Sequence, residues 1–294
     1  MSRRLTSSWA PWGFLAPALL LILVFFFIPV LAALALSVTD FDLYALADRS
    51  VLRFVGTANY TALLANPDFA RALRNTFYFV LVGGPLSIAV SLGAALLVSA
   101  RLAPYKSFFR TVYFAPVVTT LVAVAVVWRY LLHTKYGLLN WSLGAFGISP
   151  VDWLGDPVWA MPAIIIMAVW KNFGYNMVIF IAGLQNIPNE LYEAAELDGA
   201  KAWTRFRHVT LPMLRPTLAF VSVITLIGYF QLFAEPYVMT QGGPLKSTQS
   251  IVLLMYEEGF RWWRMGGAAA IAFVLFAIMI MGTAVQLLLH RGEE

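Results

Sequence analysis

The sequence predicts an all-α membrane protein with six transmembrane helices, and three observations predict it. Of the 294 residues 61% are hydrophobic and only 12% charged, with a mean hydropathy of +0.76, a balance found in integral membrane proteins and not in soluble domains. Six stretches are free or nearly free of charge over the roughly 20 residues needed to cross the hydrocarbon core. Between the fourth and fifth lies a polar, charged island, EAAELDGAKAWTRFRHVTLPMLRP, from Glu193 to Pro216.

Taken in order, the apolar runs are 5–39, 75–100, 111–128, 157–189 broken only by Lys171, 216–245 broken only by Glu235, and 265–290. The first follows Arg3 and Arg4 and carries Ala33-Leu34-Ala35 near its end, as a signal peptide would. Its apolar stretch is longer than a signal h-region, so it reads as a retained span. Six spans put both termini on one side. If that side is cytoplasmic, segments 1–10, 100–110, 186–216 and 290–294 are inside, and they hold Lys and Arg at nearly twice the density of 38–74, 129–157 and 239–265. The positive-inside rule therefore places both termini and the polar island in the cytoplasm. The net charge of +5 has the same origin, and nucleic acid is not an expected partner. With no cysteine, disulfides and thiolate metal sites are excluded.

Local signals divide the island into two helices. Asn186 is expected to cap the first, with Pro188 in its first turn and Glu190 near the free N–H groups. Asp198-Gly199 should stop it, since glycine accepts the left-handed turn that closes a helix. A second helix then runs from Ala200 until Leu211-Pro212 ends it. Glu190, Glu193 and Glu196 share one side of the first helix, with Leu191, Ala194 and Ala195 on another; the second carries Trp203 and Phe206 beside Lys201, Arg205 and Arg207.

The island's residues are Glu193, Ala194, Ala195, Asp198, Gly199, Ala200, Trp203, Phe206, Val209, Leu211, Pro212, Leu214 and Pro216. In that spacing they resemble the EAA loop of the inner-membrane permease subunits of ABC importers. In that family the loop is a cytoplasmic coupling helix that docks into a cleft of the ATP-hydrolysing subunit. The resemblance assigns Glu193, Ala194, Ala195, Asp198, Gly199 and Ala200 to ATPase coupling. Three more segments are similar to the carbohydrate-uptake, maltose-type branch: FVGTANYTALLANPDFARALRNT from Phe54 to Thr76, Trp153-Leu154-Gly155-Asp156-Pro157, and Thr240-Gln241-Gly242-Gly243-Pro244. The implied organisation is an N-terminal tail, first span and outer loop over 1–74, then the type I importer transmembrane domain over 75–290, with the EAA loop at 186–216.

ATP hydrolysis is not expected of this chain. A phosphate-cradling loop needs glycine directly before its lysine, and none of Lys106, Lys135, Lys171, Lys201 or Lys246 has one. His133, His208 and His290 are scattered, so no metal site is expected. No cofactor is assigned to this chain, and ATP with Mg falls to partner ATPase subunits.

Polar residues inside spans mark the candidate transport path, because a charge in hydrocarbon is costly and normally faces a cavity or a partner. The fourth span contributes Lys171, Asn172, Tyr175 and Asn176; the fifth contributes Thr225, Gly228, Tyr229, Leu232 and Glu235, which with Pro236 fall on one face of a continuous helix. Lys171 and Glu235 either face that cavity, pair with each other or snorkel. In maltose-type permeases the segments matching Lys171–Tyr175 and Thr225–Leu232 supply sugar contacts, which singles out Asn172, Tyr175, Thr225 and Tyr229. Their amides and hydroxyls suit sugar hydroxyls, and their rings suit pyranose C–H faces.

The resulting expectation is a permease subunit in a bacterial inner membrane, importing a sugar or oligosaccharide. It would work with a second, unlike permease chain, two ABC ATPase subunits and an extracytoplasmic binding protein. An ion-coupled secondary transporter with Lys171 and Glu235 as relay is the alternative, but such a carrier has no use for a docking loop.

Overall fold

Residues 10–48, 52–100 and 105–291 are described by the computed structural model, and among them helices dominate, with one isolated bridge between Thr39 and Phe54. Arg3, Arg4 and Arg101, which enter the orientation argument, lie outside the described residues. Helix α1 (Ala10–Ile22) continues through a π turn into α2 (Ile28–Ser37). None of its most apolar window is buried, as a lipid-facing helix requires. Asp42 caps α3 (Leu43–Ala47) by accepting the N–H groups of Tyr44 and Ala45 at 2.9 and 3.1 Å. Next comes α4 (Ala58–Ala65), closed at Asn66.

The second span starts eight residues before its uncharged run. Helix α5 (Pro67–Tyr78) passes through a π turn, Phe79–Gly83, into α6 (Gly84–Ser99). Its first turns tolerate Asp68, Arg71 and Arg74 because they are amphipathic, burying Phe69, Ala72, Asn75 and Thr76 while the charges point away.

The third span is not one rod. Helices α7 (Lys106–Val118) and α8 (Leu121–Leu131) meet at 99°. Pro116 lacks the N–H for the last turn of α7, the Thr119 hydroxyl donates back to its carbonyl at 2.6 Å, and Thr119 and Thr120 are both extended. Among the described residues five helices are thus long and apolar enough to cross a membrane, and the bent pair taken as one span makes six. After α9 (Leu138–Gly144), Asn140 accepts from Trp153 Nε1 at 2.9 Å and from the Val151 N–H at 3.2 Å, fixing the W-L-G-D-P segment.

Helix α10 (Ala160–Gln185) forms the fourth span, and 61% of its most apolar window is buried, which makes it the central element. The island follows as α11 (Asn189–Leu197) and α12 (Ala202–Arg205). Three expectations are corrected here. Asn186 closes α10 and does not cap α11; Pro188 takes the cap position, its ψ of 133° leading the chain in without a side-chain bond. The second helix begins at Ala202, because Lys201 is still extended with ψ 166°. Nor does Pro212 end it. A π turn over Phe206–Thr210 bonds the Leu211 N–H to the Phe206 carbonyl, a wider register that absorbs the proline, and α13 (Leu211–Met213) leads almost directly into α14 (Arg215–Phe230).

The fifth span is also interrupted: α14 ends at Phe230, and α15 (Ala234–Met239) starts after a break. Thr225, Gly228 and Tyr229 therefore lie on one helix, while Leu232 falls in the break and Glu235 and Pro236 on the next; a single continuous face is ruled out. Finally come α16 (Ile251–Tyr256), a π turn, and α17 (Met265–Arg291), the sixth span.

By contacts the chain forms two units. In the first, residues up to Asn66 with Met255–Val274, the Asn59 amide donates to the carbonyls of Ser37 and Thr39 at 2.8 and 2.7 Å, and the Tyr60 hydroxyl to Ser37 at 2.7 Å. The F-V-G-x-x-N-Y phrase thus ties the loop after the first span to the end of α2. The second unit, Pro67–Leu254 with the residues from Leu275, is built on α10, which packs against α6, α7 and α14. Met177, Phe180 and Ile181 meet Ala95, Val98 and Val221 there. Asn75 donates to the carbonyls of Lys246 and Gln249 at 2.8 and 3.0 Å, anchoring the loop after the T-x-G-G-P turn.

Candidate functional site

Two places bear on function. The first is the turn between α11 and α12. Gly199 sits at φ +73°, its N–H bonds to the Glu196 carbonyl at 3.0 Å, and the Ala200 N–H reaches Ala195 at 2.8 Å. This is a Schellman closure with glycine in the left-handed position. Arg205 pairs with Glu196 across the turn, and the Tyr192 and Thr210 hydroxyls share a bond of 3.0 Å, so the two segments are held as one hairpin. Glu193, Ala194, Asp198 and Gly199 are exposed, while Ala195 and Ala200 are half-buried. Leu197 and Trp203 are 90% and 70% exposed, so the tip presents apolar side chains among acids. Leu197 was not singled out from the sequence, and its only signal there was its place just before the Asp-Gly stop. Glu193 and Glu196 line a cleft of about 310 Å³ with Asn189, Tyr192 and Arg205.

The second place is a cavity of about 520 Å³ inside the second unit, within the roughly 300–1,000 Å³ usual for small-molecule sites. Asn172, Tyr175 and Asn176 reach it from α10, and Thr225, Gly228 and Tyr229 from α14. The break in the fifth span brings Gln231, Leu232, Phe233 and Glu235 onto the same wall. The Asn176 amide donates to the Thr225 hydroxyl at 3.0 Å, which joins α10 to α14 and uses one bond of each. Tyr229 is 5% exposed, and its hydroxyl has no hydrogen-bond partner.

Lys171 does not itself line this cavity, although its partner Val117 does. It is buried, and its ammonium donates at 3.1 Å to the carbonyl of Val117. That carbonyl belongs to the last turn of α7, where the break leaves acceptors without helical donors, and a cation suits the negative end of the helix. No ion pair within 4 Å joins Lys171 to Glu235. Glu235 lies buried in the first turn of α15. Sequence reasoning missed Phe79, Val117, Leu121, Ile224 and Phe233 as lining residues. Their apolar side chains inside apolar runs carried no signal, whereas Gln231, polar within a span, did. Among the described residues no group of three or more His, Cys, Asp or Glu is placed to hold a metal ion.

Comparison with known proteins follows from this geometry. The sequence profile described as "Binding-protein-dependent transport system inner membrane component" matches residues 87–293. The chain is 38% identical over 288 residues to the lactose transport system permease protein LacF of Rhizobium radiobacter, covering 96% of this chain and 94% of that one. It is 34% identical over 289 residues to the arabinooligosaccharides transport system permease protein AraP of Bacillus subtilis, covering 97% and 90%. A solved bacterial ABC transporter involved in the import of the acidic polysaccharide alginate has a similar fold, with a TM-score of 0.80 at 23% identity over 96% of this chain and 95% of that one. The fold is that of a type I ABC importer permease.

Proposed function

We propose that this protein imports a sugar or oligosaccharide, from the premise that the chain belongs to the family of binding-protein-dependent transport system inner membrane components. The single observation that carries the substrate class is the cavity wall: amides from Asn172 and Gln231, hydroxyls from Tyr175, Thr225 and Tyr229, and aromatic faces from Tyr175, Phe79 and Phe233. Such a wall pairs with sugar hydroxyls and covers their C–H faces. The names of the sugar permeases to which the chain is similar support the same reading.

In the working cycle a binding protein delivers the sugar at the outer face. Two partner ATPase subunits bind ATP and Mg and close. The hairpin at Glu193–Ala200 receives that motion in the cytoplasm, where the termini also lie, and the spans reorient around the cavity. One hairpin per permease and two ATPases call for a second permease chain, and an unlike one is expected. Polar faces of α10 and α14 agree with a partner that covers them. Purifying the tagged chain from its native membrane will bring down a second permease with the ATPases. A complex with bound ATPase and this chain as sole permease would refute the heterodimer.

Vesicles carrying the assembled complex will take up the sugar of its binding protein only with ATP on the ATPase side. Uptake driven by an ion gradient alone would instead support an ion-coupled carrier. Alanine at Asn172, Tyr175, Thr225 or Tyr229 removes a partner for a buried sugar hydroxyl, at about 1–3 kcal/mol each, and will cut uptake about fivefold or more while the complex persists. Normal kinetics in all four would move the site elsewhere.

A further inference from the structure

Tyr229 is a buried aromatic group on the cavity wall, and its position has an explanation outside the cavity. Its buried hydroxyl stands near the side chains of Ser87 and Asn172, and packing holds the ring itself. Two neighbours on the second span supply that packing, spaced one helical turn apart across the π turn. Phe79 stacks on Tyr229 with centroids 4.8 Å apart and planes at 27°. At Gly83 the absence of a side chain opens the space the ring fills: a Cβ there would lie 2.8 Å from Tyr229 Cε1 and 3.4 Å from both Tyr229 Cδ1 and Ile165 Cγ2. Gly83 has φ −70°, an ordinary helical value, so this glycine answers to no backbone requirement. Its role is the recess it leaves.

We infer that Gly83 is a specificity-determining residue for transport: the recess it makes lets Tyr229 stand back from the cavity, and so sets how large a sugar the cavity accepts. Gly83 itself does not line the cavity. Tyr229 does, and lies between the two, so any side chain at position 83 displaces the ring toward the substrate space. Phe79 works with it from the same span, because it both stacks on Tyr229 and lines the cavity. The sequence carries no trace of this arrangement, since Gly83 reads there only as one of three glycines in an apolar run. The inference rests on reading the cavity as the sugar's path, and its test must separate the two.

The absence of cysteine supplies that test. Gly228 lines the cavity, and a Cβ added there meets nothing within 4 Å, so Gly228→Cys is a free-standing reporter. In the assembled complex in membrane vesicles, the reporter would be labelled with methyl or benzyl methanethiosulfonate and the mass of the tagged chain followed. Gly83→Ala should slow benzyl labelling about tenfold while methyl labelling changes less than about twofold, in keeping with the size discrimination of an apolar pocket. Adding Tyr229→Ala should restore the benzyl rate. Phe79→Leu should raise it. Equal effects on both reagents, no effect on either, or no restoration by Tyr229→Ala would overturn the inference. Should Gly83→Ala fail to assemble, Phe79→Leu decides, and an unchanged benzyl rate refutes it. Labelling does not depend on transport. A size-selective result combined with normal uptake in all four cavity alanine variants would sink the functional reading and leave the seat of Tyr229 standing.

Discussion

Gly174→Ala will remove most of the folded protein from the membrane. At this position α10 approaches α7 so closely that a Cβ would lie 2.1 Å from the Tyr113 carbonyl oxygen, 2.9 Å from its carbon and 3.1 Å from Phe114 Cα. All three are backbone atoms, which cannot rotate out of the way. The helices would have to part by about 1 Å or more to reach an ordinary contact of about 3.5 Å, and overpacking of this kind costs about 1–3 kcal/mol or more. The separation would also pull on the Lys171 bond to Val117, one turn away, and on the edge contact between Tyr113 and Phe173 at 5.6 Å. In a bilayer, close approach of small residues is itself a main source of helix association, so little is left to compensate. Immunoblots of membranes and size-exclusion profiles in detergent should show a several-fold loss, with the remainder eluting as aggregate. Gly93→Ala is the control, because its Cβ would meet nothing within 4 Å. Equal amounts and profiles for Gly174→Ala and the parent would discard the close-contact account.

Gly199→Val will do the opposite, leaving the protein in the membrane and abolishing its work. Nothing lies within 4 Å of a Cβ at Gly199, so no clash arises. The effect is confined to the backbone. At φ +73° an L side chain costs about 1–2 kcal/mol, and a β-branched one is the worst fit. The hairpin will relax by abandoning the closure to Ala195 and Glu196, which re-aims α12 and the exposed Leu197 and Trp203 relative to α11. ATP-driven uptake should fall at least about tenfold with the membrane amount unchanged. Gly199→Asn should fall between the two, since asparagine tolerates the left-handed region better than valine. Full uptake by the valine variant would end the assignment of this hairpin to coupling.

The contrast between the two glycines measures how much of the site was legible in the sequence. Gly199 announced itself, because an Asp-Gly after an amphipathic turn of glutamates has one common structural use. The loop's residues also recur as a pattern at fixed spacing. Gly174 did not, lying in a long apolar run among polar residues that drew attention instead. Lys171, read as a candidate for the path, donates to a carbonyl at the broken end of α7, a partner set by a bend elsewhere in the chain. Asn186 looked like a cap and closes the preceding helix, because both helix ends fall within three residues and local preference serves either.

Taken alone, the sequence determined the membrane class, the number and order of the spans, and the left-handed turn of the hairpin. These depend on composition summed over about 20 residues and on single-residue backbone preferences, both of which are local. Only the tertiary structure decided where the third and fifth spans break, how the second break folds Gln231 and Glu235 onto the cavity wall, and why Gly83 and Gly174 have no side chains. The two glycines rest on distances of about two to three ångströms between helices remote in sequence. Local preference carries no information about which backbone or ring will stand opposite; close packing between helices does.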